Sequence, residues 1–196
     1  MTAQPLRIAR TDDAIDLDAA ESAVADLLVA LGHDPSSEHL GETPRRVASA
    51  YAELLTPRSF SLTTFPNDEC YGELVLARDI PFVSLCEHHL LPFSGVAHVG
   101  YIPGERILGL SKLARVVELF ARGLQVQERL TKQVADWLAD HLQPRAVGVV
   151  MEAEHSCMSL RGVRAAGTTT VTSALRGLLR DDPRSRAEFF ALTRTT

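Results

Sequence analysis

The residues Ser94–Phe120, SGVAHVGYIPGERILGLSKLARVVELF, predict the architecture of the chain. Residues 94–102 are mostly apolar and include β-branched side chains, and Pro103-Gly104 marks a turn after them, so we expect a strand there. From Ser111 onward the apolar residues recur at helical spacing, with Ser111 as the predicted N-cap. A strand that leads directly into an amphipathic helix predicts a sheet packed on helices.

The segments on either side extend this pattern. The predicted elements are strands over residues 73–77, 80–85, 147–161 and 168–175, a second helix to about Leu142, and a last helix from Asp182-Pro183 to near Thr193. Strands 147–161 and 168–175 are expected to pair as a hairpin. Strands followed by two helices and a hairpin predict an α+β fold, with an antiparallel sheet packed on two long helices.

The N-terminal third has a helical pattern. One helix is predicted from Asp16 to Gly32, and another begins with Thr43 as N-cap and Pro44 at the first helical position. We therefore expect a flexible arm over residues 1–14, an N-terminal helical part over 15–72, and the α+β domain over 73–196.

Composition limits the classes of function. The chain has 196 residues, with 20 Lys+Arg against 25 Asp+Glu and a net charge of −5. This acidic balance argues against a nucleic-acid partner, so an anionic ligand must be bound locally. The three cysteines are too few for a disulfide scaffold and fit a reducing compartment. Neither a signal peptide nor an apolar run of membrane-spanning length is apparent, so we expect a cytoplasmic protein with no membrane partner.

Cys86-Glu87-His88-His89 is the first group with chemical potential. A Cys and a His three residues apart on a tight turn can share one metal ion, and a thiolate with an imidazole is a zinc-type pair. Alone, the pattern also fits a buried cysteine beside surface histidines.

The second group is His155–Arg161, HSCMSLR. As a strand of period two it would present a base, a thiol and a cation on one face and apolar residues on the other. The polar face contains His155, Cys157, Ser159 and Arg161, and the apolar face Met158 and Leu160. The alternative is a half-buried edge strand whose polar residues face water.

Together the two groups suggest three metal ligands, Cys86, His89 and Cys157, with Cys70 incidental in a polar loop. Three protein ligands leave one position for water, as in catalytic zinc sites, where the pKa of the bound water falls to about 7. His88 and His155 would remain free near the metal for proton transfer.

A helix start with cations is the third feature. Ser111 begins the helix, and Lys112 and Arg115 lie on nearly one face of it, so with Arg161 they predict a phosphate site. An amphipathic helix with solvated charges is the alternative. Glu128, at the start of the next helix, could stabilise the helix dipole or accept hydrogen bonds from a guanine edge, and spacing leaves both open.

Several segments together resemble the GTP cyclohydrolase I family. They are Glu42-Thr-Pro-Arg-Arg-Val, Cys86-Glu-His-His-Leu-Leu-Pro-Phe, Gly109-Leu-Ser-Lys-Leu-Ala-Arg, Leu124-Gln-Val-Gln-Glu-Arg-Leu-Thr, His155-Ser-Cys-Met-Ser-Leu-Arg-Gly-Val and Thr170-Val-Thr-Ser. Their order and length make the resemblance specific from about Leu40 to Leu192. The first forty residues carry no comparable signal.

The resemblance implies the tunnelling fold, a homodecamer with active sites between subunits, and the conversion of GTP and water to 7,8-dihydroneopterin triphosphate and formate. It implies Zn²⁺ held by Cys86, His89 and Cys157, and proton transfer by His88 and His155. It assigns the triphosphate to Ser111, Lys112, Arg115 and Arg161, and recognition of guanine to Glu128 with Gln127 beside it.

Other functions fit the residues less well. The deazaguanine nitrile reductases share the implied fold but lack this Cys-x-x-His plus His-x-Cys set, and a zinc nucleobase deaminase would need H-x-E with C-x-x-C. A zinc-stabilised interaction module would have four ligands and no use for the free histidines. Zinc hydrolysis that stops at the ring-opened formamide remains an alternative.

Overall fold

The centre of the molecule is a five-stranded sheet. The structure, a computed structural model, describes residues 6–8 and 14–194. The strands are β1 (Leu6–Ile8), β2 (Phe60–Leu62), β3 (Thr64–Pro66), β4 (Val75–Cys86), β5 (Pro92–Ile102), β6 (Arg106–Leu108), β7 (Leu124–Gln125), β8 (Ala146–His155) and β9 (Thr169–Gly177). The helices are α1 (Leu17–Ala30), α2 (Thr43–Leu55), α3 (Ser111–Ala121), α4 (Gln127–Leu142), α5 (Ser156–Ser159), α6 (Leu178–Asp181) and α7 (Pro183–Thr193).

The main sheet has the order β7-β4-β5-β8-β9, and all its pairs are antiparallel except β4 with β7. Two small antiparallel pairs, β1-β2 and β3-β6, accompany it. The α+β class and the hairpin of β8 with β9 are thus confirmed.

One face of the sheet is buried by α3 and α4. Alternate residues of β5 and β8 point into this core and are almost inaccessible to solvent, among them Phe93, Ala97, Val99, Val149 and Met151. The facing helices contribute buried apolar residues, which include Leu113, Val116 and Val117 on α3 and Leu130, Val134, Leu138 and Leu142 on α4. Burial of this many aliphatic groups is the main stabilising contribution to the domain.

The opposite face is covered at one end by α7, where Phe189 is fully buried. A Cβ at Gly148 would come within 2.7 Å of the Phe189 ring, so only glycine allows the helix to lie this close to β8. The helix starts as predicted, because Asp182 accepts a hydrogen bond from the Ser185 N–H at 2.8 Å.

β4 is one strand where the sequence predicted two. A bulge between Ala77 and Ile80 interrupts its register with β5, and Asp79 there has a left-handed φ of 55°. The interruption that looked like a gap between strands is therefore a bulge inside one strand.

β8 is shorter than predicted, since the strand expected over 147–161 ends at His155. Its last ladder pair is Phe93 with His155, and the next residue of β5 is Pro92, which has no N–H to extend the ladder. The chain turns into the helical turn α5, where the Leu160 N–H donates to the Ser156 carbonyl at 3.0 Å. The predicted period-two face is therefore wrong beyond His155, and Leu160 is 74% exposed instead of packed.

Two predicted caps are also wrong. Ser111 and Thr43 are the first residues of their helices, and the N-cap positions belong to Leu110 and Glu42, neither of which makes a side-chain cap. The turn before α3 is closed by main-chain bonds instead, with the Lys112 N–H donating to the Gly109 carbonyl at 2.8 Å.

The N-terminal part contains the two predicted helices, which pack on each other. The arm predicted for residues 1–14 lies mostly outside the described residues, and the described piece Leu6–Ile8 pairs with β2. Leu27 of α1 and Leu31, its C-cap, are exposed, and α1 has no buried residue. Among residues 6–8 and 14–194, no helix is long and apolar enough to cross a membrane.

Candidate active site

A tight turn between β4 and β5 presents two histidines at one end of the sheet. The Leu90 N–H donates to the Cys86 carbonyl at 2.8 Å, and the Cys86 N–H donates to the Leu91 carbonyl at 2.8 Å. Leu90 closes the turn with a left-handed φ of 56°. The Tyr51 hydroxyl of α2 donates to the Leu90 carbonyl at 3.0 Å, so the N-terminal part holds this turn from outside.

The three proposed ligands converge on this turn. One ligand atom each from Cys86, His89 and Cys157 lie within 4.8 Å of one another, and the Cys86 Sγ is 3.6 Å from the His89 Nδ1. Cys86 is buried, Cys157 is half-buried and His89 is exposed, so the group opens to solvent on the histidine side.

The helical turn α5 places Cys157 opposite Cys86. Burial, and the nearby thiol of Cys86, raise the pKa of the Cys157 thiol, while Arg161 lowers it in part. Arg161 lies four residues after Cys157 and its Nη1 is 3.4 Å from the His89 Nε2. The chain that follows α5 thus brings Arg161 near Cys157, a pair that the sequence predicted on one face of a strand.

The donor set suits a zinc ion. Two sulfurs and one imidazole nitrogen match the soft and borderline ligands that Zn²⁺ takes, and they differ from the all-oxygen sets of Mg²⁺ or Ca²⁺. Three protein donors with an exposed side leave a position for water or substrate. Cys70, the remaining cysteine, is exposed and does not belong to the group.

His155 lies beside this group on the core face of the sheet. Its ring stacks on Phe93, with 4.6 Å between centroids and 3° between planes, because the two residues are cross-strand partners at the end of the ladder. Its Nε2 is 2.7 Å from the Oε1 of Gln127. Burial lowers the pKa of His155, and the carboxylate of Glu128 opposes this shift.

His88 and Glu128 face solvent near the same end of the sheet. The His88 Nδ1 is 3.9 Å from the Cys86 Sγ, and its side chain is 63% exposed. Glu128 is exposed at the start of α4, while Gln127 beside it is only 1% exposed. The carboxylate of Glu128 can therefore contact a ligand in solvent, whereas the amide of Gln127 can contact only other buried groups.

Ser111 and Arg115 are not placed with the metal group. They line a separate cavity of about 540 Å³ beside β4, with Arg58 and Glu118 among its other walls. The Glu118 carboxylate accepts from Arg58 at 2.5 Å and from Arg115 at 3.0 Å. Lys112, half-buried on the same helix, is not among the residues of this cavity.

Several residues near the site were not singled out in the sequence. Phe93 stacks on His155, Tyr51 holds the histidine turn, and Glu118 binds two arginines of the cavity. Phe93 had a usable signal, since it stands at the strand end next to the Cys86 segment. The contacts of Tyr51 with Leu90 and of Glu118 with Arg58 connect distant parts of the chain, so local spacing does not predict them.

The comparisons with known proteins agree with one another. The family model described as GTP cyclohydrolase I matches residues 20–194. The GTP cyclohydrolase 1 of Mycobacteroides abscessus is 53% identical over 95% of this chain and 94% of its own length. That of Aquifex aeolicus is 51% identical, over 92% and 98%, and that of Streptomyces avermitilis 56% identical, over 88% of each chain.

These relatives are matched along nearly their whole length, and the family model spans the histidine turn, α3, α4 and the segment of Cys157. The chain therefore belongs to the GTP cyclohydrolase I family.

Proposed function

We propose that this protein binds Zn²⁺ at Cys86, His89 and Cys157 and converts GTP and water to formate and 7,8-dihydroneopterin triphosphate. Relatives of 51–56% identity and the family model support this activity, that of a GTP-acting hydrolase of pterin biosynthesis. The observation that carries the proposal is the convergence of the three ligand atoms within 4.8 Å at a solvent-open position.

The reaction needs an activated water at C8 of the guanine and protons for the ring nitrogens. A zinc ion held by Cys86, His89 and Cys157 would supply a Lewis acid that activates water near neutral pH. His155, held against Phe93, handles the proton at N7 as the imidazole ring opens. His88, exposed on the turn, serves the later proton transfers of formate release.

Glu128 is proposed to recognise guanine. Its exposed carboxylate, close enough to His155 to shift the pKa of that ring, can accept from the N1–H and the exocyclic amino group of the base. Gln127 is buried beside this pocket and contacts His155. Arg161, beside His89, is placed to hold the phosphate nearest the ring.

Replacing Glu128 with glutamine tests this role. We expect the preference for GTP over ITP, which lacks the 2-amino group, to fall by about tenfold or more, because a hydrogen bond to a charged acceptor contributes about 1.5–3 kcal/mol. The measurement is kcat/KM for both nucleotides. Glu154→Gln, on the exposed end of β8, is the matched control and should keep the wild-type preference. An unchanged ratio in Glu128→Gln would contradict the assignment.

The cavity of Ser111 and Arg115 supports an active site shared between subunits. We propose that the chain forms the tunnelling fold within a homodecamer, and that Ser111, Lys112 and Arg115 bind the triphosphate of GTP held by a neighbouring subunit's metal group. Two edges of the main sheet support such an assembly, because in the described chain β9 pairs only with β8, and β4 pairs with β7 only at Leu85 and Cys86. Unpaired edges of this length favour pairing with another chain.

The exposed apolar residues of α1 support the same assembly. Leu27, Val29 and Leu31 are 55–64% exposed, and such a cluster is typical of a surface covered by a partner.

We expect light scattering to give the mass of ten chains, and a monomeric mass with full activity would contradict the shared site. The residues of the N-terminal part, 15–72, would then serve assembly, and 73–196 the chemistry.

The deciding experiment is incubation of zinc-loaded protein with GTP. We expect formate in equal amount to a product that gives neopterin fluorescence after oxidation. Formate without any pterin would favour hydrolysis that stops short of the rearrangement. If neither formate nor pterin forms, the proposal is overturned.

Because the ligand thiols must stay reduced and the substrate is GTP, we propose the cytoplasm as the site of action.

A further inference from the structure

The side chain of Gln127 is buried beneath the active site and all its polar atoms have partners. The residue is 1% exposed. Its Nε2 lies 2.9 Å from the Thr170 carbonyl, 3.1 Å from the Met151 carbonyl and 3.1 Å from the Thr172 Oγ1. Its Oε1 lies 2.7 Å from the Nε2 of His155.

The orientation of this amide follows from the chemistry of its partners. Carbonyl oxygens can only accept, so the atom between Met151 and Thr170 must be the NH₂ group. The reversed amide would place an oxygen against two carbonyl oxygens and leave buried acceptors without donors, which is unfavourable. The Oε1 therefore faces His155.

The neighbouring threonines agree with this orientation. The Thr131 hydroxyl donates to the main-chain carbonyl of Gln127 at 2.8 Å. Because its own hydrogen is used there, the Thr131 oxygen accepts from the Thr172 hydroxyl, 2.6 Å away. The Thr172 oxygen is then left as an acceptor for the Gln127 NH₂. The two hydrogens of the Gln127 NH₂ are shared among three acceptors, and no reversal of the amide is compatible with those acceptors.

An amide oxygen only accepts, so the His155 Nε2 must carry the hydrogen in their shared bond. This holds for the neutral ring and for the imidazolium. The parallel Phe93 ring fixes the plane of the imidazole, so rotation of the ring cannot bring the other nitrogen to Gln127 without losing the bond. Within the described part of the chain, the Nδ1 of His155 takes part in no hydrogen bond.

We propose that Gln127 is a positioning residue that holds His155 in the Nε2–H tautomer, so that Nδ1 is the nitrogen that exchanges a proton with the substrate. Because the His155 Nε2 is engaged with the Gln127 Oε1, Nδ1 is the ring nitrogen left for the substrate. The assignment of the tautomer stands on geometry, and its catalytic consequence rests on the proposed function. Gln127 thus affects the guanine pocket through His155, without touching the base.

The test combines Gln127→Met with Gln125→Met as a matched control. Methionine has nearly the volume of glutamine but cannot accept the His155 hydrogen. Gln125 is another buried glutamine, 3% exposed, that donates to the Phe120 carbonyl and to Gln133 and accepts from Arg129. Both variants therefore lose a buried amide, but only one loses contact with His155.

The direct readout is the nitrogen-15 spectrum of histidine-labelled, zinc-loaded, sedimented protein at pH about 8, where a typical imidazole is neutral. His155 is assigned by the signals missing from His155→Gln. We expect the Nε2–H tautomer in the wild type and in Gln125→Met, and a mixture of tautomers in Gln127→Met. A wild-type Nδ1–H tautomer would overturn the proposal, and this result does not depend on any variant folding.

The kinetic readout separates positioning from direct contact with guanine. We expect Gln127→Met to lower kcat for GTP by about 10–100-fold while KM changes less than about threefold, in the range of general acid–base contributions. Gln125→Met should keep both values near the wild type. A raised KM with unchanged kcat and an unchanged tautomer would instead assign Gln127 to substrate binding. If the protein has no activity on GTP, the tautomer spectra still decide the structural claim.

Discussion

Cys157→Ala is expected to lose its bound zinc and to lower the rate of GTP-dependent formate release by at least about 10³-fold, because the Lewis acid contributes several kcal/mol of stabilisation to the transition state. The variant leaves Cys86 and His89 as two ligands that cannot form the proposed site. Zinc content by elemental analysis and formate release are measured on the same preparation.

The control for this prediction is Cys70→Ser. Cys70 is exposed and outside the ligand group, so this variant should keep its zinc and its activity. A melting experiment adds a readout that needs no substrate, since an ion that binds only the folded state raises the melting temperature in proportion to the logarithm of its concentration. We expect zinc to stabilise the wild type and Cys70→Ser, and not Cys157→Ala. Full activity of zinc-free Cys157→Ala would exclude the zinc mechanism.

The proximity of Cys86, His89 and Cys157 could be predicted from the sequence, although the secondary structure predicted for one of their segments was wrong. Cys157 and Arg161 were predicted on one strand face, whereas Cys157 lies in the helical turn α5 and Arg161 follows the end of that turn. The strand prediction failed because the ladder ends opposite Pro92, and that pairing depends on the register of two strands distant in sequence. Arg161 is still close to Cys157, because the helical turn α5 folds the chain back between them instead of extending it.

The surroundings of the group could not be predicted in the same way. Gln127 and Glu128 are adjacent in sequence and both polar, yet one is buried under the site and the other is exposed. Only the positions of Met151 and Thr170 show which of the two has its hydrogen bonds inside the chain. Likewise, Ser111 and Arg115 carry the residue types of a phosphate site, but their cavity lies apart from the metal group.

His155→Ala is expected to retain zinc and to lower kcat for GTP by about 10²–10⁴-fold, the range that general acid–base groups contribute. His155 is not a proposed ligand, so the zinc content should match the wild type and separate this effect from loss of the metal. His39→Ala, an exposed histidine in the link before α2, is the control and should retain full activity. A variant with wild-type kcat would exclude His155 from the chemistry.

The intermediates that accumulate then show at which step His155 acts. If it protonates N7 as the ring opens, the variant stalls before any bond to C8 is broken, and neither the ring-opened formamide nor formate appears at the wild-type rate. If instead the formamide accumulates while formate is not released, ring opening does not depend on His155, and its role belongs to the second hydrolysis. His88→Ala gives the complementary measurement, because its exposed ring is proposed for that later step. Accumulation of formamide in His88→Ala together with its absence in His155→Ala would assign the two histidines to successive proton transfers at one metal centre.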